Sequence, residues 1–262
     1  MIVLAALIHL PKTVILISSC LLIFGHDLLD KVQFKENVLW AILHKPTVFR
    51  LSDSHTVSVF YPLIPWIGVM SLGYYFGTFY KKSFDVAKRK KILNIIGIAA
   101  IILFIILSLI NSYGDLRGWT HYDTVTKTFM SVFNPNKYPP SLLYLLMTLG
   151  PACIFLANSE NLKGKVVNFF SIFGRVPFFY YVIHIYLIHI IAMLFAQFSG
   201  FGWQSMILTG FPAQSPALQG YGFPLWIVYL VWIGVISITY PLCKRFDNYK
   251  LNHKEKWWLS YI

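Results

Sequence analysis

From Val176 to Cys243 the chain runs for 68 residues without a single Asp, Glu, Lys or Arg. A water-soluble surface cannot be made from such a stretch, because charged side chains supply much of what a soluble protein shows to solvent. Over all 262 residues only 12% are charged and 57% are hydrophobic, with a mean hydropathy of +0.62. A soluble domain carries about twice that charge. The solvent for this chain is a lipid bilayer.

Apolar segments fall at roughly 13–26, 59–80, 92–111, 141–157, 176–198 and 225–243. A spanning helix takes about 20 apolar residues, or as few as ~17. Residues 1–10 (MIVLAALIHL) are also apolar but reach only about 15 Å, half a bilayer, before Pro11 breaks the pattern. They read as the end of a helix begun elsewhere. A signal peptide is the rival reading, yet neither a basic n-region nor a small-residue cleavage site is present. The expected fold is all-α: a polytopic transmembrane helix bundle of about six full spans plus a partial N-terminal one, with 1–262 as a single transmembrane domain.

Lys and Arg in the loops set the expected orientation. Lys12, loop 81–91, loop 158–175 and tail 244–262 carry 15 of the 22 basic residues and a net charge of +11. The alternate loops 27–58, 112–140 and 199–224 sum to +1. The first set, including the C-terminus, is therefore expected on the cytoplasmic side of a cell (inner) membrane. The net charge of +12 and pI near 9.6 do not point to nucleic acid, because the charges cluster beside apolar segments and form no continuous stripe. Cys20, Cys153 and Cys243 lie in or beside apolar segments without paired spacing, and read as small apolar residues.

Two intramembrane histidines stand out, since ionisable groups at that depth usually face the bundle interior. With Pro177 opening its helix, His184 lies about 10 Å and His189 about 18 Å from the helix start. Five residues apart, they sit roughly 140° from each other and share no face. Each is a candidate catalytic residue, and each reads equally as a hydrogen-bonded structural histidine; no metal site is expected. Arg175, in Gly174-Arg175-Val176-Pro177, is a candidate for binding cofactor phosphates at a helix start, with interfacial anchoring as the alternative. Asp115, Lys137 and Tyr138 offer a carboxylate, a cation and a phenol in an outer loop, and are candidate substrate contacts. Gly73 and Gly77 have GxxxG spacing, which reads as close helix packing.

The segments FGHDLLD (24–30), YPLIPWIGVMSLGYYFG (61–77), NKYPPSLLYLLMTLGPA (136–152) and GRVPFFYYVIHIYLIH (174–189), closed by YPLCKRFDNYK and WLSYI, carry a resemblance. The chain resembles a group of bacterial membrane proteins similar to the catalytic domain of heparan-α-glucosaminide N-acetyltransferase. That resemblance implies acetyl or acyl transfer across the membrane, from acetyl-CoA in the cytoplasm to an amino-sugar or other glycan acceptor outside. It matches His184 to the family's late-helix histidine. It also places the family's usual catalytic histidine in an N-terminal third without counterpart here, so the chain is expected to be the C-terminal two-thirds of a longer acyltransferase-like domain, and inactive alone. Beyond bilayer, acetyl-CoA and glycan, a homo-oligomer is a possible partner arrangement. A proton-coupled transporter or flippase, or a non-catalytic membrane subunit, is the alternative, argued from histidines that lack an acidic neighbour.

Overall fold

The computed structural model describes residues 2–32, 34, 37–52, 55–208, 210, 212 and 215–260. Lys35, Glu36 and Asp53 of the outer charge set and the final two residues of WLSYI lie outside them. The chain is 69% helical, which bears out the all-α fold class. Ten α-helices occur among the described residues. They are α1 (Ile2–Leu7), α2 (Lys12–Gly25), α3 (Val38–Leu43), α4 (Leu63–Phe76), α5 (Val86–Ile110), α6 (Val125–Val132), α7 (Leu142–Ser159), α8 (Lys165–Arg175), α9 (Pro177–Phe198) and α10 (Leu225–Asn252).

Local chemistry fixes their starts. Pro11, Pro62 and Pro224 stand immediately before α2, α4 and α10, and Pro177 opens α9. Proline suits the first turn of a helix, where an N–H would lack a partner. Elsewhere a side-chain oxygen caps the helix. Asp85 accepts from the Lys88 N–H at 2.6 Å and Ser141 from that of Tyr144 at 3.2 Å. Asn111 ends α5 in the left-handed region, which asparagine tolerates.

Five helices are long and apolar enough to cross a membrane: Lys12–Lys31 (α2 with the 3-10 turn that follows), Val86–Ile110, Leu142–Ser159, Pro177–Phe198 and Leu225–Asn252. None of the most apolar window of α9 is buried within the protein, and only 11% of that of α10. Their side chains meet a solvent that is itself apolar. The sixth apolar segment, 59–80, forms a shorter helix because Pro62 delays its start. Together α4 and the 3-10 turn Gly77–Tyr80 extend about 29 Å, close to the hydrocarbon thickness of a bilayer.

The chain packs as two units, Met1–Asn161 and Leu162–Ile262. In the first, α5 packs on α7 and α2 on α4, around Ile23, Phe104, Leu142, Leu143, Leu145 and Leu146. Glycine sets the α5–α7 spacing. A Cβ on Gly97 would fall 2.5 Å from Ile154 Cγ1 and 2.7 Å from the Gly150 carbonyl oxygen. The GxxxG pair is different: a Cβ on Gly73 or Gly77 meets nothing within 4 Å, so this spacing does not mark a helix seam. Arg89 clamps one end of the unit. Its Nε and Nη2 donate to Glu160 at 2.7 and 2.5 Å, and Nη1 donates to the Phe79 carbonyl at 3.0 Å. A small antiparallel hairpin, β1 (Thr47–Arg50) and β2 (Thr56–Val59), pairs Thr47 with Val59 and Arg50 with Thr56.

In the second unit α8 and α9 pack with α10. Ile172, Val176 and Cys243 are buried together, and the Phe179 and Phe246 rings stack at 4.1 Å. The far end of α9 buries Ala196 against Met206 and Leu218.

Candidate functional site

The polar groups of the first unit converge where α2 ends. Gly25 closes the α-helix, and His26–Lys31 continue as a 3-10 turn. Side chains three apart eclipse in that geometry, so Asp27 and Asp30 share a face. Val38–Leu43 then forms α3, started by the Asn37 side chain accepting from the Trp40 N–H at 3.0 Å, and His44 caps its C-terminus. Both His26 and His44 are 2% exposed. Their rings stand edge to face with centroids 6.5 Å apart.

Their surroundings differ. His26 Nδ1 meets the carbonyls of Leu22 (3.1 Å) and Ile23 (2.9 Å). Its Nε2 meets the Pro140 carbonyl at 2.8 Å and Asp27 Oδ1 at 2.9 Å. Facing only acceptors, His26 has no lone pair to offer a substrate. It ties α2 to the start of α7, as does Asp27, whose Oδ2 accepts the Leu142 N–H at 2.9 Å. His44 Nε2 rests on Asp30 Oδ1 at 2.9 Å. His44 Nδ1 is buried without a hydrogen-bond partner among the described residues, and so is Trp40 Nε1. The His44 and Trp40 rings lie 5.2 Å apart. In the neutral ring with Nε2–H given to Asp30, Nδ1 carries a lone pair, and the indole N–H of the adjacent Trp40 ring is likewise without a partner among the described residues. Buried polar groups are rarely left so. Tyr113 completes this end by donating its hydroxyl to the Phe24 carbonyl. Burial first, and the charges of Asp27 and Asp30 next, push its phenol above the usual range and keep it a donor.

The outer-loop residues singled out in the sequence lie in this same unit. The Asp115 carboxylate accepts from the N–H groups of Arg117 and Asn136 and from the Ser141 hydroxyl at 3.0 Å, so it shapes the loop that delivers α7. Among the described residues its Oδ1 accepts only the Arg117 N–H and keeps one acceptor position for a substrate donor. Lys137 Nζ stands 5.2 Å from the Tyr138 ring centre, and the Tyr138 ring meets Tyr61 edge-on at 5.3 Å. A hydrogen bond from Tyr61, and then one from Lys137, lower the Tyr138 pKa, while Tyr138 raises that of Lys137. Lys137 and Tyr138 are thus brought together, and Asp115 anchors the loop that carries them.

His184, His189 and Arg175 belong to the second unit. His184 lies flat on Tyr180, centroids 4.8 Å apart, with Nδ1 on the Tyr180 carbonyl at 2.9 Å. His189 is exposed on α9. Arg175 is the last residue of α8 and stands two residues before Pro177, which opens α9. Its Nε and Nη2 grip the buried Asp247 at 2.9 and 2.7 Å, a pairing that raises its pKa. Among the described residues no group of three or more His, Cys, Asp or Glu could hold a metal ion.

His26, Asp27 and Asp30 were inside FGHDLLD, a segment read above only for its resemblance. His44 carried no periodic or motif signal, and its pairing with Asp30 needs the turn at His26–Lys31 and the cap of α3 together.

Residues 1–109 match the family model described as heparan-alpha-glucosaminide N-acetyltransferase, catalytic. The matched stretch takes in His26, Asp27, Asp30, Trp40 and His44. No curated protein and no solved structure matches the chain.

Proposed function

We propose that this membrane protein transfers an acetyl group from cytoplasmic acetyl-CoA to an amino-sugar or other glycan acceptor on the opposite side, and that His44, Asp30 and Trp40 form the reacting centre. One observation carries the reading: a buried imidazole with one nitrogen on a carboxylate and the other without a partner among the described residues, next to an indole whose N–H is likewise without one there. Acyl transfer needs a base for the acceptor's proton and a donor for the developing oxyanion. His44 Nδ1 supplies the first, oriented by Asp30, and Trp40 Nε1 the second.

The acceptor amine attacks the thioester carbonyl and a C–N bond forms. His44 takes the amine proton, and Trp40 stabilises the oxygen that gains charge. The C–S bond then breaks, and the proton passes to the thiolate of coenzyme A, giving an N-acetyl amide and free thiol. Support for the donor comes from the family match, and for the sidedness from the division of loop charge. Lys137 and Tyr138, on the loop that leads into α7, are the proposed sugar contacts. Arg175 is proposed to reach the donor's phosphates with donors that Asp247 leaves over.

The test is turnover of labelled acetyl-CoA with glucosamine by the purified chain. His44→Gln should lower the rate roughly 10²–10⁴-fold, and Trp40→Phe about 10²–10³-fold. His184→Gln and His189→Gln should change it far less. Full activity in folded His44→Gln would move the centre elsewhere.

A further inference from the structure

The first unit contains an apolar cavity of about 250 Å³ lined by α2, α4, α5 and α7. It extends along α7 from Leu145 to Leu156, about 17 Å of helix. Its lining side chains are apolar throughout, and the Cys153 thiol is the nearest approach to a polar group. Small residues make the room: Gly73, Ala100 and Ala152 all face it, and a Cβ on Gly73 would meet nothing within 4 Å. The Gly73 position, read from sequence as a packing seam, is part of a cavity wall.

One end of this space adjoins the polar cluster. Ile23 lines the cavity, and its carbonyl meets His26 Nδ1 at 2.9 Å. Leu145 lies one turn below Leu142, whose N–H is held by Asp27. The unit thus offers a polar end and an elongated apolar interior, the division found in an amphiphile. An extended polar group fits poorly, because the amides of a pantetheine arm would find no partners along such a wall. An aliphatic chain gains contact with every lining side chain.

We propose that the cavity takes the aliphatic tail of a membrane lipid, and that this lipid carries the acceptor sugar as its headgroup, presented to His44 and Trp40. The headgroup half rests on the acetyl-transfer reading; the tail site stands without it.

The probe is a dodecyl glucosaminide with a photoreactive diazirine at the end of its chain, added to the full chain in phosphatidylcholine nanodiscs, with labelled peptides mapped by mass spectrometry. Label is expected on α4 and α7 residues of the cavity wall, competed by unlabelled dodecyl glucosaminide and not by methyl glucosaminide. Gly73→Leu fills the space and should weaken labelling roughly ten- to a hundredfold, with Ala152→Leu as the second variant should the first fail to fold. Label outside the wall, or unchanged in both filled variants when they remain monodisperse, overturns the tail site. Competition by acetyl-CoA gives the cavity to the donor and also overturns it. Equal competition by dodecylphosphocholine overturns the sugar headgroup. Labelling as expected without acetyl transfer by the wild type upholds the tail site and counts against the acetyltransferase reading alone.

Discussion

A buried imidazole serves a reaction only through a nitrogen that nothing else has claimed. Acceptors surround both nitrogens of His26, whereas Asp30 takes one nitrogen of His44 and leaves the other. The same distinction governs the charged residues. Glu160 is held below the usual carboxylate range, first by its hydrogen bonds to Arg89. A lowered carboxyl pKa contributes stability that is present above the unfolded value, about 4.3, and lost as pH falls through the lower folded value. The melting temperature of the wild type should therefore exceed that of Glu160→Gln at pH 6 and converge on it in acid below about pH 4. A gap independent of pH would mean that the Arg89 pair adds nothing. Arg175 presents a different case, since part of its guanidinium is already on Asp247. If it also holds donor phosphates, Arg175→Gln should weaken acetyl-CoA binding about ten- to a hundredfold by calorimetry. Unchanged affinity would leave it as the partner of Asp247 only. At this scale the sequence was least legible. Asp30 and His44 are 14 residues apart, and His26 meets Pro140 across 114; no spacing rule connects such positions.

Two helix starts were readable because proline acts on its own neighbours: Pro11 breaks the apolar pattern before α2, and Pro177 opens α9. Helix faces were not. Loop 158–175 was read for its charge, yet Val166, Phe169, Phe170 and Phe173 recur at helical spacing and form the apolar side of α8. Gly73 and Gly77 matched a packing pattern, while the close approach was made by Gly97 and Gly150, which lie on different helices and so show no spacing at all. Gly97→Ala must push Ile154 or the Gly150 backbone aside, and should cost about 1–3 kcal/mol. Gly77→Ala, in open space, should cost far less. Thermal denaturation in one detergent compares them. Equal losses would mean that α5 and α7 are not held at glycine distance.

Composition spoke most clearly for the molecule as a whole. A 68-residue run without Asp, Glu, Lys or Arg admits little besides a membrane bundle, and the apolar side chains left uncovered on α9 and α10 agree with it. The sidedness proposed from loop charge puts the end of α2, with His44 and Asp30, opposite the lysine-rich loop 81–91. On that proposal acetyl-CoA is supplied from the face opposite the acceptor, and transfer is vectorial. Inverted membrane vesicles from expressing bacteria make this measurable. Labelled acetyl-CoA is added outside, where the cytoplasmic face is exposed, and glucosamine is trapped in the lumen. Labelled N-acetylglucosamine should accumulate in the lumen with the wild type and fall to the background of empty vesicles with His44→Gln. Lumenal product no greater than in vesicles lacking the chain, or equal product from both proteins, would contradict the account.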